Sequence, residues 1–473
     1  MHTSTDYLVV GAGASGLAFT DSLVAETDAD VTLIDRRHAV GGHWVDAYPF
    51  VRLHIPSAYY GVNSLPLGED RIDDAGENAG FYERAPGEEV REHFAAAAER
   101  LTATGRVRIL TGHDHLGRAA DREQVRDLDS GAVHEIDVQR KVVDARYLEA
   151  SVPATHTPSF EVSPGARVVP VGELPAAADP SLSYTLLGSG KTAVDACVWL
   201  LDNGVTPDRI RWIRPREAWF LDRAHFQPLD QVAGIIEGLS LDAEAAAQAT
   251  DLDDIFARLE TVGRHNRLDP SRPATMYRST MLSSPELDGV RQVQDVVRLG
   301  HVRRVEADRM VLTEGEVQTG DDVLHVDCTA AGLRDAPATP MFQPGRIVLQ
   351  QVRQNSPCFN AALVGFVEAH REDDEDKNHL CPPNPYASSI KDWPGLMRRT
   401  WEAEYQWLRE PDLAGWIAQS RLNLVRALPE HAAEPAVQTS LQRYLTNVGP
   451  AIARLRELEK GLSAARFGAP AGT

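Results

Sequence analysis

The chain carries one local pattern twice, and that repetition limits its fold more than any other feature. "DYLVVGAGASGLAFTDSLV" places a short apolar run, Tyr7 to Val10, before Gly11, Gly13 and Gly16, and follows them with a helical pattern. "SYTLLGSGKTAVDACVWLL" does the same with Gly188, Gly190 and Ala193. A strand, a glycine-rich turn and a helix in that order form the phosphate-binding corner of a doubly wound α/β unit. The first glycine permits the turn, the second lets a pyrophosphate approach the backbone, and the third small residue lets helix and strand pack closely. The helix then offers unpaired N–H groups and the positive end of its dipole to the phosphates.

The letters GSGKT invite a nucleotide-triphosphate reading, and the spacing excludes it. A loop of the form GxxxxGK[ST] needs glycine five residues before Gly190, where Thr185 stands. The second loop is therefore a second dinucleotide loop, whose helix is predicted to end at Asp202, Asn203 and Gly204. Each loop is followed by another strand whose last residue meets the adenosine ribose. "DVTLID" ends at Asp35, nineteen residues beyond Gly16, which suits free ribose hydroxyls. "RIRWIR" ends at Arg214, with Arg216 two residues on. Arginine there accommodates a 2′-phosphate, so NADPH rather than NADH is expected at the second loop.

Composition removes several classes of function. A formal net charge of −21 argues against a nucleic-acid partner. No apolar run reaches the roughly 20 residues that span a bilayer. The opening "MHTSTDYLVVGAG" lacks the basic, apolar and cleavage regions of a secretory signal, so a cytoplasmic location is expected. The four cysteines, Cys197, Cys328, Cys358 and Cys381, form no CxxC pair, which leaves neither a zinc site nor a redox-active disulfide. His113 and His115 have no further ligand spaced nearby, so no metal is expected. "HREDDEDKNHLCPP", residues 370–383, reads as a solvated loop, without the alternation and turn glycine of a calcium loop.

Between the first ribose acid and the core lies "RRHAVGGHWVDAYPFVRLH". Gly41-Gly42, Trp44, Tyr48-Pro49 and Arg52 give GGxW…YPxxR. This resembles the segment that follows the ribose acid in flavin-containing and Baeyer–Villiger monooxygenases. Together with two nucleotide loops, it makes the chain similar to the two-dinucleotide-binding-domain flavoproteins, group B monooxygenases among them. The resemblance is incomplete: "RKVVDARYLEASVPATHTPSF" carries neither the ATG strand end nor the FxGxxxH motif of those families, and His54 stands where many have an acid.

The resemblance implies an α/β chain with two Rossmann-type units, an FAD unit interrupted by an NADPH unit. The expected layout is 1–175 for the first part of the FAD unit and 176–335 for the NAD(P)H unit, with a helical insertion at 225–290. The FAD unit returns over 336–393, and 394–473 is helical, packing on the FAD unit or closing the substrate tunnel. "GDDVLHVDCTAAGL" and "NAALVGFVEA" read as strands, the latter bringing Asn360 or nearby backbone to the flavin. FAD is expected against Gly11, Gly13, Gly16, Asp35, Arg36, Gly42, His43, Trp44 and Arg52. NADPH is expected against Gly188, Ser189, Gly190, Lys191, Thr192, Arg214 and Arg216.

The implied reaction is oxygenation of a small organic substrate (at nitrogen or sulfur, by hydroxylation or by Baeyer–Villiger insertion) through a C4a-(hydro)peroxyflavin. Dioxygen is the co-substrate. Arg52 and His54 are the catalytic candidates; the other readings are a structural ion pair for Arg52 and a core histidine for His54. Two other functions stay open: an NAD(P)H–flavin oxidoreductase that inserts no oxygen, and a non-catalytic flavoprotein responding to redox state. A homodimer is compatible with the sequence.

Overall fold

The computed structural model describes residues 2–468 apart from 153, 331 and 335. The chain begins with β1 (His2–Val10), α1 (Ala14–Glu26) and β2 (Val31–Asp35). Leu8, Val9 and Val10 are buried, as residues of a central parallel strand covered on both faces must be. Tyr7 to Val10 pair in parallel with Val31 to Ile34. Helix α2 (Gly87–Ala103) follows, with Glu88 and Glu89 in its first turn and Arg100 in its last, matching the helix dipole. The chain then forms β3 (Val107–Thr111) and the antiparallel run β4 (His113–Ala119), β5 (Arg122–Asp127) and β6 (Val133–Asp144). Strand β6 turns back beside β1, in parallel.

The second unit repeats the design. It contains β7 (Val168–Pro170), β8 (Ser183–Leu187), α3 (Lys191–Asp202) and β9 (Ile210–Ile213). As expected, α3 stops at Asp202, and Gly204 takes a φ of +83° just beyond. Next come β10 (Ala218–Asp222), α4 (Val232–Gln248), α5 (Leu252–Thr261), β11 (His265–Arg267), β12 (Met276–Leu282) and α6 (Ser284–Val290). Strands β13 (Asp295–Val297) and β14 (Val323–Asp327) complete a parallel sheet in the order β13-β9-β8-β14-β7. Strand β7 already belongs to this sheet, so the chain enters the second unit before residue 176.

The chain then returns. Strands β15 (Phe342–Gln343) and β16 (Arg346–Val348) extend the first sheet to the order β15-β16-β6-β1-β2-β3. Helices α7 (Pro357–His370), α8 (Asp374–Leu380), α9 (Trp393–Trp407) and α10 (Pro435–Gly468) follow. Helix α7 crosses α1 so closely that a Cβ on Gly365 would lie 2.6 Å from the carbonyl oxygen of Phe19.

Three expectations need correction. The segment 360–369 is helix, not strand: α7 is buried on every side from Cys358 to Glu368, so its apolar residues show no helical period. The charged run 370–383 contains α8, capped by Asp373, whose carboxylate accepts from the Glu375 and Asp376 amides at 2.8 and 3.1 Å. The buried Lys377 there turns inward to Glu368 at 2.7 Å. The insertion over 225–290 is only partly helical, because it contributes β11 and β12, which flank β10 just ahead of it in a three-stranded sheet. Of the C-terminal helices, α9 sends Trp407 into the first core, while α10 lies along α4. Among the described residues no helix is long and apolar enough to cross a membrane.

Candidate active site

The first nucleotide loop is closed from above by the paired glycines. Gly41 and Gly42 take φ values of +116° and +60°, and a Cβ on Gly42 would lie 2.9 Å from the Cα of Gly13. The Gly41 amide donates to the Ala12 carbonyl at 2.9 Å. Helix α1 starts behind Gly13 with no side-chain cap, so its first N–H groups are left for a ligand. The Asp35 carboxylate closes the corner, accepting from the Ala12 amide at 2.8 Å and the Arg37 amide at 2.9 Å. This is a backbone cradle that fits a dinucleotide pyrophosphate, with an acid beside it.

From that corner a cavity of about 460 Å³ runs toward the second loop. Gly11, Gly13, Asp35 and Trp44 line one end, and Lys191 and Thr192 line the other. Tyr48, Arg52 and His54 stand between them. The Trp44 indole donates to the Tyr60 hydroxyl at 2.8 Å, and the His43 ring lies 5.2 Å from it. Burial, reinforced by Arg37, pushes the His43 pKa down to about 4. The N-terminal end of α7 reaches the cavity through Pro357 and Asn360. Asn360 fixes that approach by clamping both backbone groups of Arg353 at 2.8 Å.

The second loop faces the cavity differently. Helix α3 begins at Lys191 with no side-chain cap, and the space beside Gly190 is open. Ser189 is buried. The Lys191 ammonium pairs with Asp195 one turn along and with Glu286 at 3.3 Å. Glu286 is the hub of a buried charge cluster: Arg223 lies 2.5 Å from its carboxylate and Arg84 3.6 Å. Burial alone would raise the Glu286 carboxyl, but Lys191, Arg223 and Arg84 outweigh it and hold the group well below its usual range. The Tyr48 hydroxyl donates to Asp195 at 2.6 Å.

His54 sits against this cluster. Burial first, then Lys191, Arg223 and Arg84, push its pKa down to about 3, so the imidazole is neutral at physiological pH. Its Nδ1 is buried without a hydrogen-bond partner. Arg52 is exposed at the cavity mouth, where its Nη1 donates to the Arg84 carbonyl at 3.1 Å. It has no carboxylate partner among the described residues.

Not every residue singled out from the sequence reaches the cavity. Arg36 is exposed and paired with Glu149, while its neighbour Arg37 lines the cavity and pairs with Asp46 at 2.6 Å. Arg214 is buried, 3.4 Å from Glu217 and over the Trp212 ring, whereas Arg216 is exposed. Sequence reasoning expected Asn360 here but missed Arg37, Glu286 and the helix start at Pro357. Only the last had a local signal, Ser356-Pro357, a helix start with proline in its first turn. Among the described residues no cysteine lines the cavity.

With the geometry in place, comparison with known proteins gives the family. Residues 9–52 match the NAD(P)-binding Rossmann-like domain family. The uncharacterized protein Rv2000 of Mycobacterium tuberculosis (strain ATCC 25618 / H37Rv) is 42% identical over 458 residues, covering 95% of this chain and 84% of the relative. The uncharacterized protein Mb2023 of Mycobacterium bovis matches to the same extent, 42% over 458 residues. Among solved structures, an oxidized steroid monooxygenase bound to NADP covers 98% of both chains at 14% identity, with a TM-score of 0.51. A cyclohexanone monooxygenase bound to ε-caprolactone covers 92% of this chain and 99% of its own at 14% identity, with a TM-score of 0.50. The chain belongs to the family of these mycobacterial proteins, and its fold is that of the flavoprotein monooxygenases.

Proposed function

We propose that the chain is an FAD- and NADPH-dependent monooxygenase acting on a small organic molecule. The observation that carries this reading is a cavity lined from both nucleotide loops, with Tyr48, Arg52 and His54 between them and, among the described residues, no thiol in its lining to receive electrons. When bound there, NADPH supplies a hydride and FAD passes the electron pair to dioxygen, one atom of which enters the substrate while the other leaves as water.

The chain's own residues do the remaining work. Gly11, Gly13, Gly16 and Gly42 leave room for the FAD pyrophosphate; Asp35 takes the ribose hydroxyls. His43 and Trp44 wall the same end. Arg36, expected in this set, is held outside by Glu149. At the second loop Gly188, Ser189, Gly190 and Thr192 receive the NADPH pyrophosphate, while Lys191 anchors the start of α3 to the Glu286 cluster. Arg216 meets the 2′-phosphate, and Arg214 stiffens the strand end beneath it. Arg52 sets an unpaired positive charge at the reacting end. His54 offers Nδ1 as a neutral hydrogen-bonding atom, and the surrounding walls exclude water.

Purified flavin-loaded protein, NADPH and ¹⁸O₂ with a panel of amines, sulfides and ketones give the test. One ¹⁸O atom per product molecule, with product matching NADPH consumed, supports the reading. Equal turnover of an electron acceptor without oxygen, and no labelled product, replaces it with a reductase.

A further inference from the structure

The β4–β6 run brings three ligand-type side chains together although they are 21 residues apart in sequence. His113 opens β4 and stands directly opposite Asp127 at the end of β5. His134 on β6 stands opposite Val125, two residues from Asp127. Side chains alternate along a strand, so residues two apart, and residues directly opposite them, share a face of the sheet. One ligand atom from each of His113, Asp127 and His134 lies within 4.8 Å of the others, and all three residues are half-buried.

Each side chain is arranged as a ligand would be. The Thr111 carbonyl lies 2.6 Å from His113 Nδ1. A carbonyl only accepts, so the proton is on Nδ1 and the lone pair is on Nε2. Asp127 Oδ1 accepts from the Asp129 and Ser130 amides at 2.9 and 3.2 Å, so both amides meet the same oxygen. The Ser130 amide, then the Ser130 hydroxyl and the Asp129 amide, hold the carboxyl below its usual range. His134 has no hydrogen-bond partner among the described residues, and its ring stacks on His113 at 6.2 Å. His115, the sequence neighbour that suggests itself, is engaged with Glu123 at 2.8 Å and is outside the set.

We propose that His113, Asp127 and His134 bind one divalent transition-metal ion of the zinc type, its remaining coordination positions filled by water. Two imidazoles and one carboxylate suit zinc or copper rather than magnesium or calcium. Tetrahedral zinc needs ligand atoms about 3.3 Å apart, so the three side chains would close by at most about 1.5 Å on binding. The ion ties β4 to β6 across β5. His113 also lines a small cleft with Gly11 and Asp35, so the tie sits behind the first nucleotide loop.

The test is zinc titration by calorimetry of tag-free, flavin-loaded protein that has been stripped of metal with a chelator. One ion per chain is expected. His113→Ala and His134→Ala each weaken binding by about 100-fold, His115→Ala leaves it within about three-fold, and magnesium does not bind. Copper(II) at one equivalent gives a second readout on the unmodified protein: an EPR spectrum with hyperfine coupling to two imidazole nitrogens. Zinc binding that the two alanine variants leave intact, or a copper signal without nitrogen coupling, overturns the proposal.

Discussion

The Tyr48 hydroxyl donates a 2.6 Å hydrogen bond to Asp195, 147 residues away, and so ties the loop of the first nucleotide corner to the helix of the second. Burial, then Asp195, raises the phenol well above its usual pKa, so the donor keeps its proton throughout the physiological range. Asp195 also holds Lys191. The bond therefore fixes how the two corners face one cavity. Tyr48→Phe removes it with little change in shape. The expected result is NADPH binding weakened several-fold with flavin content unchanged, read from the NADPH dependence of anaerobic flavin reduction. An unchanged dependence would mean that the bond has no part in docking the second dinucleotide.

Gly42→Ala is expected to abolish flavin binding. The new Cβ would meet the Gly13 Cα at 2.9 Å, backbone against backbone, at a φ of +60° that alanine resists. Gly105→Ala is the matched control, because Gly105 has a φ of +74° and nothing within 4 Å. The control loses about 1 kcal/mol of stability and stays yellow. Flavin absorbance per chain after purification separates the two outcomes; a fully yellow Gly42→Ala protein contradicts the cradle.

Arg216→Ser is expected to lower kcat/KM for NADPH by about ten-fold or more while leaving NADH unchanged, since one charge-assisted contact to phosphate is lost. Arg214→Ser removes a partner of the buried Glu217 instead, so its main effect falls on stability. If the Arg214 variant alone loses NADPH preference, the two roles are exchanged.

His265 is fully buried between Phe256 and Tyr277, and neither ring nitrogen has a partner. Burial, followed by Arg264 and His225, holds its pKa well below the usual histidine value. The unfolded chain takes up a proton near pH 6.5 that the folded chain refuses, so stability drops as pH falls below that point. His265→Leu removes the penalty. Relative to the parent, the variant should gain about 1 kcal/mol between pH 7.5 and 5.5, measured from urea midpoints. Parallel pH profiles for the two proteins would show that the imidazole already charges inside the fold.

Local chemistry explains what could be read from the sequence and what could not. The two corners were legible because their requirement is local: a strand, a turn open to φ values that side chains resist, and a small residue where the helix starts. The places of Asp35 and Arg214 at their strand ends followed from strand length, but not that Arg214 would be buried against Glu217, outside the cavity lining. The helix at 357–370 was misread because a segment buried on all sides has no polar face and so no period. Arg36 and Arg37 are adjacent in sequence, and only the path of the chain beyond β2 decides which one turns to the cavity.

By itself the sequence determined two dinucleotide corners, the paired glycines above the first, and the lack of a cysteine pair. These depend on neighbours within one strand–turn–helix unit, where backbone geometry and residue type nearly coincide. Only the tertiary structure decided that Glu286 gathers Lys191, Arg223 and Arg84, that His54 is kept neutral beside them, and that His113 meets His134 rather than His115. Those contacts join distant segments, and their energies come from burial and from charges brought close in a medium that screens them weakly. No spacing in the chain records that.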